Sequence, residues 1–281
     1  MASNIGWRRR LFRPAPAVSC NFRFCKLGQG NMSSSKQQLE AAGISVSFGG
    51  IKALGGVNVT LKRGEVLGLI GPNGAGKTTM VNVLSGFQRP TTGNVRIDGT
   101  DVSHLSARKI AQYGVGRSFQ AARLFRAMTV EQNLSIAAIG AGLSRRKARE
   151  RSHEILDWMG LGARAEQRCD SLSYGDERRI SIARALALAP SFVLLDEPAS
   201  GMNDTECDGL MGIVAELPSR FDCGVLLIEH NMKVIMGVCQ RIHVLDGGQS
   251  LAEGTPSQIQ NNIAVRRAYL GEKASDTSLA I

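Results

Sequence analysis

Alternating apolar and polar residues mark three stretches in the first hundred residues of the chain. Apolar side chains occupy every second position over residues 44–48, 57–61 and 95–97. A period of two is typical of a strand with one buried face, so each stretch is predicted as a β-strand. Glycine pairs at 49–50 and 55–56 separate the first strands, as turn residues do.

Three continuous apolar runs, at 66–70, 192–195 and 224–228, lack this alternation. Such runs are typical of strands that are buried on both faces, as in a parallel sheet. Residues 121–170 are predicted as an all-helical insert, because their apolar residues recur at helical spacing. Shorter helices are predicted at 79–84, 107–113, 180–189 and 264–270. The pattern as a whole indicates an α/β protein.

Residues 1–38 lack apolar periodicity and contain Pro14, Pro16 and a serine run at 33–35. They are predicted as a disordered, basic N-terminal extension. Seven basic residues and no acidic residue precede Glu40. Three interpretations of this start stay open: an organelle transit peptide, a tail that binds a lipid surface, and sequence upstream of a true initiation site at Met32.

The net charge of +10 is concentrated in that extension, which leaves +3 for the rest of the chain. A nearly neutral body argues against a nucleic-acid-binding surface. Each apolar run is far shorter than the roughly 20 residues that a membrane-spanning helix needs. The six cysteines form no CxxC pair and no metal-like group with the four histidines. We therefore predict reduced, mostly buried thiols in a cytosolic protein.

The stretch that follows the apolar run 66–70 predicts a phosphate-binding loop. Its glycines allow backbone conformations that turn successive N–H groups inward, and the helix that follows adds a positive end. Lys77 is expected to reach the terminal phosphates of a nucleotide, and the Thr78 hydroxyl to ligate Mg²⁺. The predicted nucleotide-binding residues are Gly71, Pro72, Asn73, Gly74, Ala75, Gly76, Lys77, Thr78 and Thr79.

Two adjacent acids follow the apolar run 192–195, at the edge where parallel sheets place their chemistry. Asp196 is predicted as a partner of Mg²⁺, and Glu197 as the base that orients and deprotonates water. His230, at the end of the run 224–228, is predicted to donate to the γ-phosphate. Ser173 and Gly175 precede a predicted helix, where they are compatible with a second anion-binding end but alone indicate an ordinary cap.

Together these residues resemble the nucleotide-binding domain of ATP-binding cassette (ABC) transporters over about residues 41–272, which leaves a tail at 273–281. The resemblance implies a P-loop NTPase core with an antiparallel β subdomain and an all-helical subdomain at about 121–180. It also implies ATP and Mg²⁺ as ligands, Phe48 as an adenine-stacking side chain and Gln120 as a ligand of Mg²⁺. Within that family Lys77, Gln120, Glu197 and His230 would be catalytic. The motifs follow the family's order: 71–78, Gln120, 172–175, 196–197, 200–203 and His230.

Further segments resemble the ATPase subunit of branched-chain amino-acid importers, and related importers of urea and amides share much of the pattern. Two places depart from the wider family. Tyr174 and Asp176 stand where glycine and glutamine are usual, and Asp204 follows Asn203 where proline is common. Neither departure touches Ser173 or Gly175, so the catalytic assignment stands. The departures affect only the expected contacts between two cassettes. The segments that carry this resemblance are 117–120, 123–126, 128–130, 228–232 and 267–272.

The resemblance implies a peripheral ATPase subunit at the cytoplasmic face of the inner membrane. It would dock on integral-membrane permease subunits through the helical insert and Gln120, and it would act indirectly with a solute-binding protein. A second cassette, identical or a paralogue, would supply Ser173 and Gly175 to each ATP site. A soluble cassette that clamps nucleic acid is disfavoured by the short insert and near-neutral body, and a regulatory module by the intact catalytic residues. The solute stays open, because other importer subunits select it.

Overall fold

The computed structural model of the protein describes residues 37–120 and 122–270, which contain two β-sheets and helices packed around them. The strands are β1 (Gln38–Phe48), β2 (Ile51–Lys62), β3 (Val66–Ile70), β4 (Thr92–Ile97), β5 (Thr100–Asp101), β6 (Val115–Arg117), β7 (Phe192–Asp196), β8 (Gly224–Ile228), β9 (Arg241–Asp246) and β10 (Gln249–Gly254). The helices are α1 (Lys77–Leu84), α2 (Ala107–Gln112), α3 (Val130–Gly140), α4 (Arg145–Trp158), α5 (Tyr174–Ala187), α6 (Asp204–Phe221), α7 (Met232–Val238), α8 (Pro256–Gln260) and α9 (Ile263–Leu270).

One sheet is antiparallel, with the strand order β2-β1-β4-β5. Its first strand begins at Gln38, earlier than the alternation at 44–48 indicates. Leu39 and Ala41 are buried in the same core as Ile44. The register shifts between Ala41 and Ile44, where Gly43 has a φ of 62°. This bulge adds a residue and breaks the period of two, so the first part of the strand escapes a search for strict alternation.

The second sheet has six strands in the order β10-β9-β3-β8-β7-β6. All neighbouring pairs are parallel except β9 and β10. Every residue of β3, β7 and β8 is buried, as expected for strands covered on both faces. Because adjacent parallel strands end at the same edge, the loops after these three strands meet there. Those loops carry the predicted phosphate loop, the two acids and His230.

Between β6 and β7 the chain forms the predicted helical insert. Helices α3 and α4 pack on each other and on α5 through Leu134, Ala148 and Ile155. Residues 122–129, at the start of the insert, are not helical. Helix α5 starts at Tyr174 rather than at the predicted residue 180, because Ser173 caps it by accepting from the N–H of Asp176.

Four cysteines in the described part of the chain are buried free thiols, as predicted: Cys169, Cys207, Cys223 and Cys239. Cys20 and Cys25 lie outside the described residues, and so do nearly all of the predicted N-terminal extension and the tail at 273–281. None of the described helices has the length and apolar character needed to cross a membrane.

Candidate active site

The loop after β3 has the backbone that an anion site requires. Gly71, Gly74 and Gly76 have φ values of 151°, 83° and 97°, a region that glycine adopts readily. A Cβ at Gly76 would lie 2.8 Å from the carbonyl oxygen of Ala53, whereas a Cβ at Gly74 would meet open space. Helix α1 starts at Lys77 without a side-chain cap from the described residues. Its first N–H groups therefore face outward at a positive helix end and suit phosphate oxygens.

The side chain of Lys77 folds back onto this loop. Its Nζ donates to the carbonyl oxygens of Gly71 at 2.7 Å and Pro72 at 2.9 Å. Burial lowers the pKa of Lys77, and the carboxylates of Glu197 and Asp196 partly oppose that decrease. The amine is thus close enough to both acids to interact with their charges. Thr78 and Thr79 follow in the first turn of α1.

Glu197 and Gln120 are brought together although they are 77 positions apart in the sequence. The Nε2 of Gln120 donates to Oε2 of Glu197 at 2.8 Å. Glu197 has a φ of 47°, which is uncommon for a residue other than glycine and is found where surrounding structure enforces it. Its backbone N–H donates to the carbonyl of Ile228 at 2.9 Å. The predicted base is therefore fixed to the end of β8 through its backbone and to Gln120 through its side chain.

Asp196 forms a buried ion pair with Arg117. Oδ2 of Asp196 lies 3.0 Å from Nη2 of Arg117, and the two side chains are 9% and 8% exposed. The other terminal nitrogen of Arg117 donates to Oδ1 of Asn82 at 2.7 Å and to Oγ of Ser85 at 3.0 Å. Burial lowers the pKa of Arg117, while Asp196 opposes that decrease. The arginine thus ties α1, which follows the phosphate loop, to the strand that carries the acids.

His230 follows β8 and points a largely exposed side chain, 68% accessible, away from the core. Its neighbour Glu229 has a completely buried carboxylate, and Oε2 of that carboxylate lies 3.9 Å from Nδ1 of His230. Neither Arg117 nor Glu229 is among the residues whose role the sequence patterns predict. What could have indicated a role is that each residue is charged and stands at the end of a strand, β6 or β8, that lies next to β7 in the sheet.

Ser173 and Gly175 lie at the start of α5. The Ser173 Oγ accepts from the N–H of Asp176 at 3.2 Å and donates to its carboxylate at 2.7 Å. A Cβ at Gly175 would lie 2.6 Å from a carboxylate oxygen of Glu206, so α5 and α6 approach closely there. The carboxylate of Asp176 also pairs with Arg164 of the insert at 2.6 Å, so the start of α5 is bonded both within itself and to the insert.

Tyr174, one of the departures from the wider family, packs on the loop between β7 and α6. A Cβ at Gly201 would lie 2.9 Å from the Tyr174 ring. The guanidinium of Arg178 stacks on the ring, 4.7 Å from its centre. Tyr174 therefore occupies the space between the start of α5 and the 200–203 loop.

Two aromatic side chains belong to elements on either side of the phosphate loop in the chain, one on β1 and one on α9. Phe48, at the end of β1, is 50% exposed, which leaves a ring face for stacking. Tyr269 lies near the end of α9, close to the backbone of Gly71. Burial raises the pKa of Tyr269 to about 12, and the nearby backbone of Gly71 opposes that increase. The last described helix thus lies beside the first residue of the phosphate loop.

A groove of about 310 Å³ lies between the end of β6, the segment 119–125, and helices α3 and α5. Its lining combines aromatic, aliphatic and basic side chains. Arg117 and Arg123 stack on the ring of Phe119, at 4.8 and 4.4 Å from its centre. Arg184 donates to the carbonyls of Ala122 and Arg123 at 2.9 and 2.7 Å. The groove is therefore held by the same segment that carries Gln120.

The sequence model of the family described as ABC transporter matches residues 54–200. This chain belongs to that family. A second model, described as branched-chain amino acid ATP-binding cassette transporter, matches residues 249–275 of the cassette. The family assignment confirms the predicted fold class and the ATPase activity, and ATP is the nucleotide that such cassettes bind.

Curated relatives cover nearly the whole described part of the cassette. The high-affinity branched-chain amino acid transport ATP-binding protein BraF of Pseudomonas aeruginosa is 42% identical over 253 residues, which is 85% of this chain and 99% of the relative. LivG of Escherichia coli, with the same description, gives the same identity and coverage. The lipopolysaccharide export system ATP-binding protein LptB of Haemophilus influenzae is 37% identical over 236 residues, 84% of this chain and 98% of the relative.

Solved structures show the same fold. The crystal structure of the ADP conformation of an ATP-binding cassette of an ABC transporter superposes with a TM-score of 0.76 at 29% identity, over 83% of this chain and 98% of that chain. A dimeric, post-hydrolysis cassette bound to ADP and Pi gives a TM-score of 0.69 at 27% identity, over 78% of this chain and 98% of that chain.

Proposed function

We propose that this cassette hydrolyses ATP to drive a membrane importer of branched-chain amino acids. The observation that carries the proposal is the shared edge of β3, β8 and β7. That edge places the phosphate loop, Asp196 with Glu197, and His230 around one space. BraF and LivG, both at 42% identity, are named for branched-chain amino acid transport, and the model that matches residues 249–275 is described as a branched-chain amino acid ATP-binding cassette transporter. LptB, at 37% identity, serves lipopolysaccharide export, so the fold alone leaves the solute open.

The phosphate loop fits the triphosphate of ATP. The uncapped start of α1 offers N–H donors, and Lys77 is poised to exchange its two carbonyl partners for phosphate oxygens. Phe48 would stack on the adenine. His230, exposed beside this space, would donate to the γ-phosphate. Positioning and charge neutralisation of this kind supply most of the rate in phosphoryl transfer.

The oxygen donors around the loop fit Mg²⁺, which prefers hard ligands of this type. Thr78 has its hydroxyl in the first turn of α1. Asp196 uses Oδ2 for Arg117, which leaves Oδ1, and Gln120 uses its nitrogen for Glu197, which leaves its carbonyl oxygen. When bound, the ion would neutralise charge on the phosphates. Glu197 would accept the proton of the attacking water, and Gln120 would hold its carboxylate in position.

A complete site would need a second cassette. Ser173 bonds to Asp176 of its own helix and Gly175 approaches Glu206 of α6, and a similar solved cassette is described as dimeric with ADP and Pi bound. We propose that each ATP lies between the phosphate loop of one cassette and the start of α5 of its partner. Tyr174, packed on the 200–203 loop, would lie at that interface.

The groove between the segment 119–125 and helices α3 and α5 is the proposed docking site for the permease. It presents Phe119, Phe125 and Ile136 beside three arginines, which suits a short amphipathic segment of a membrane protein. Docking there would place the cassette at the cytoplasmic face of the membrane as a peripheral subunit. A solute-binding protein would act on the other side, through the permease alone.

The decisive experiment is uptake by the complete importer. Co-expression with the permease subunits, the second cassette and the binding protein of a branched-chain amino-acid importer should give ATP-dependent leucine uptake in proteoliposomes. A Glu197→Gln variant should still bind ATP and dimerise while its kcat falls by at least about 100-fold. Full turnover by that variant would exclude Glu197 as the base, and uptake of urea but not leucine would exclude the proposed solute.

A further inference from the structure

Glu229 is a carboxylate in a place where carboxylates are rarely found. It stands between the last residue of β8 and His230, and its side chain is 0% exposed. Burial raises the pKa of Glu229, and the neighbouring His230 and backbone N–H groups oppose that increase. A buried acid is retained at such a site only when its oxygens are bonded.

The two carboxylate oxygens of Glu229 accept from backbone N–H groups of two different segments of the chain. Oε1 accepts from the N–H of Ala199 at 2.6 Å. Oε2 accepts from the N–H of His230 at 3.2 Å. One side chain therefore bonds the turn after Glu197 and the segment of His230 at the same time.

This bridge reinforces a strained backbone. Glu197 has a φ of 47°, and the turn that follows it closes through the N–H of Ser200, which donates to the Glu197 carbonyl at 3.2 Å. Such a conformation persists where several contacts enforce it. The backbone bond from Glu197 to Ile228 supplies one contact, and the bond from Ala199 to Glu229 supplies a second on the far side of the turn.

We propose that Glu229 is a positioning residue for ATP hydrolysis, which holds the predicted base Glu197 and the predicted phosphate ligand His230 at a fixed separation. The inference rests on the proposed roles of those two residues. A carboxylate suits this task because it accepts at both oxygens, whereas the amide of glutamine must turn one N–H₂ donor toward an N–H group. Misplacement of a reacting group by about 1 Å is enough to cost roughly a hundredfold in rate.

The test compares Glu229→Gln with Glu65→Gln in the full chain, assembled with its transporter partners. Glu65 is a suitable control because its carboxylate also accepts from a backbone N–H, that of Lys62 at 2.7 Å, and pairs with Arg241. It precedes β3 and so lies at the opposite edge of the sheet from the nucleotide. The measurements are kcat and KM for MgATP, the melting temperature and the affinity for ADP.

Glu229→Gln should lower kcat by about tenfold to a hundredfold, with KM and ADP affinity within about threefold of the wild type. Glu65→Gln should keep the wild-type kcat, whatever its melting temperature. Glu229→Asp, which restores the charge with a shorter side chain, should recover part of the loss. If Glu229→Gln folds poorly, the comparison of kcat per folded molecule for Glu229→Asp and Glu65→Gln decides the question.

A double variant separates positioning from general destabilisation. If Glu229 acts through Glu197, adding Glu229→Gln to Glu197→Gln should leave the residual hydrolysis nearly unchanged, since the two losses are not additive. Wild-type kcat in Glu229→Gln, or fully additive losses in the double variant, would overturn the inference. Absence of ATPase activity in the wild-type transporter, or full activity in Lys77→Ala, would instead overturn the proposed function.

Discussion

The side-chain nitrogen of Gln120 donates to the Glu197 carboxylate across 2.8 Å. Gln120 lies at the entry to the helical insert, and the segment that follows it lines the groove proposed for the permease. A movement of a permease bound at this groove would therefore reach the predicted base through a single side chain. The same bond keeps Glu197 in place when its backbone conformation is unfavourable.

Removal of the hydrogen bond from Gln120 to Glu197 should slow hydrolysis without weakening nucleotide binding. Gln120→Ala is expected to lower kcat by about tenfold to a hundredfold, because a hydrogen bond to a charged group is worth about 1.5–3 kcal/mol. Steady-state ATPase assays of the assembled transporter, with ADP titrations alongside, measure both quantities. An unchanged kcat, or a loss that comes entirely from KM, would contradict the predicted role of Gln120.

The ion pair between Arg117 and Asp196 should matter more to stability than surface pairs do. Arg117→Met leaves a buried carboxylate unpaired, and we expect the free energy of unfolding to fall by about 3 kcal/mol. The matched control is Arg146→Met, which breaks an exposed pair with Glu150 on α4 and should cost less than about 1 kcal/mol. Urea unfolding monitored by circular dichroism compares the two. Equal losses would show that burial of the first pair is irrelevant.

The buried thiols predict a limit at alkaline pH. Burial raises the pKa of both Cys223 and Cys239 from 9.0 to about 12. Above pH 9 the unfolded chain loses these protons while the native chain keeps them, so the free energy of unfolding should fall as pH rises from about 9 to 12. At pH 8 the native protein should leave both thiols unlabelled by iodoacetamide, as peptide mass spectrometry can show. Rapid labelling of either thiol in native protein would contradict their burial.

A charge placed in the groove should uncouple the cassette from its permease. Ile136 lines the groove on α3 and is 39% exposed, so Ile136→Asp should fold normally and bind ADP as the wild type does. Solute uptake and co-purification with the permease should fall at least about tenfold, since one buried apolar contact at an interface centre is worth 1 kcal/mol or more. Ile263→Asp, at a 65% exposed position on α9, serves as the control. Normal uptake by Ile136→Asp would remove the groove as a docking site.

Much of the site followed from the sequence because its motifs are local. The phosphate loop needs glycines at fixed spacing between a strand and a helix, and Asp196 follows an apolar run that is typical of a buried strand. The contacts that were not predicted join residues that are far apart in the sequence. Arg117 meets Asp196 through the pairing of β6 with β7, and that pairing places residues 79 positions apart side by side. In the sequence, Glu229 is an ordinary polar residue at the end of a strand. Its contact with the N–H of Ala199 becomes evident only in the folded chain.

The starts of β1 and α5 were predicted wrongly for a different reason. The bulge near Gly43 shifted the alternation of β1 by one residue, so its first buried pair, Leu39 and Ala41, fell out of phase with the rest. Helix α5 gained a turn and a half at its start because Ser173 and Asp176 cap each other. Both effects come from single residues that change backbone geometry, and a window average does not detect them.

Tyr269, near the end of the last described helix, lies close enough to the backbone of Gly71 to have its pKa affected by it, so α9 reaches the proposed nucleotide site. The carbonyl of the same glycine accepts from Nζ of Lys77, so one residue of the loop lies between the last described helix and the lysine. Shortening the protein from its C-terminus would then alter ATP affinity as soon as the deletion passes Tyr269. A recombinant version trimmed before that tyrosine would understate the activity of the complete cassette.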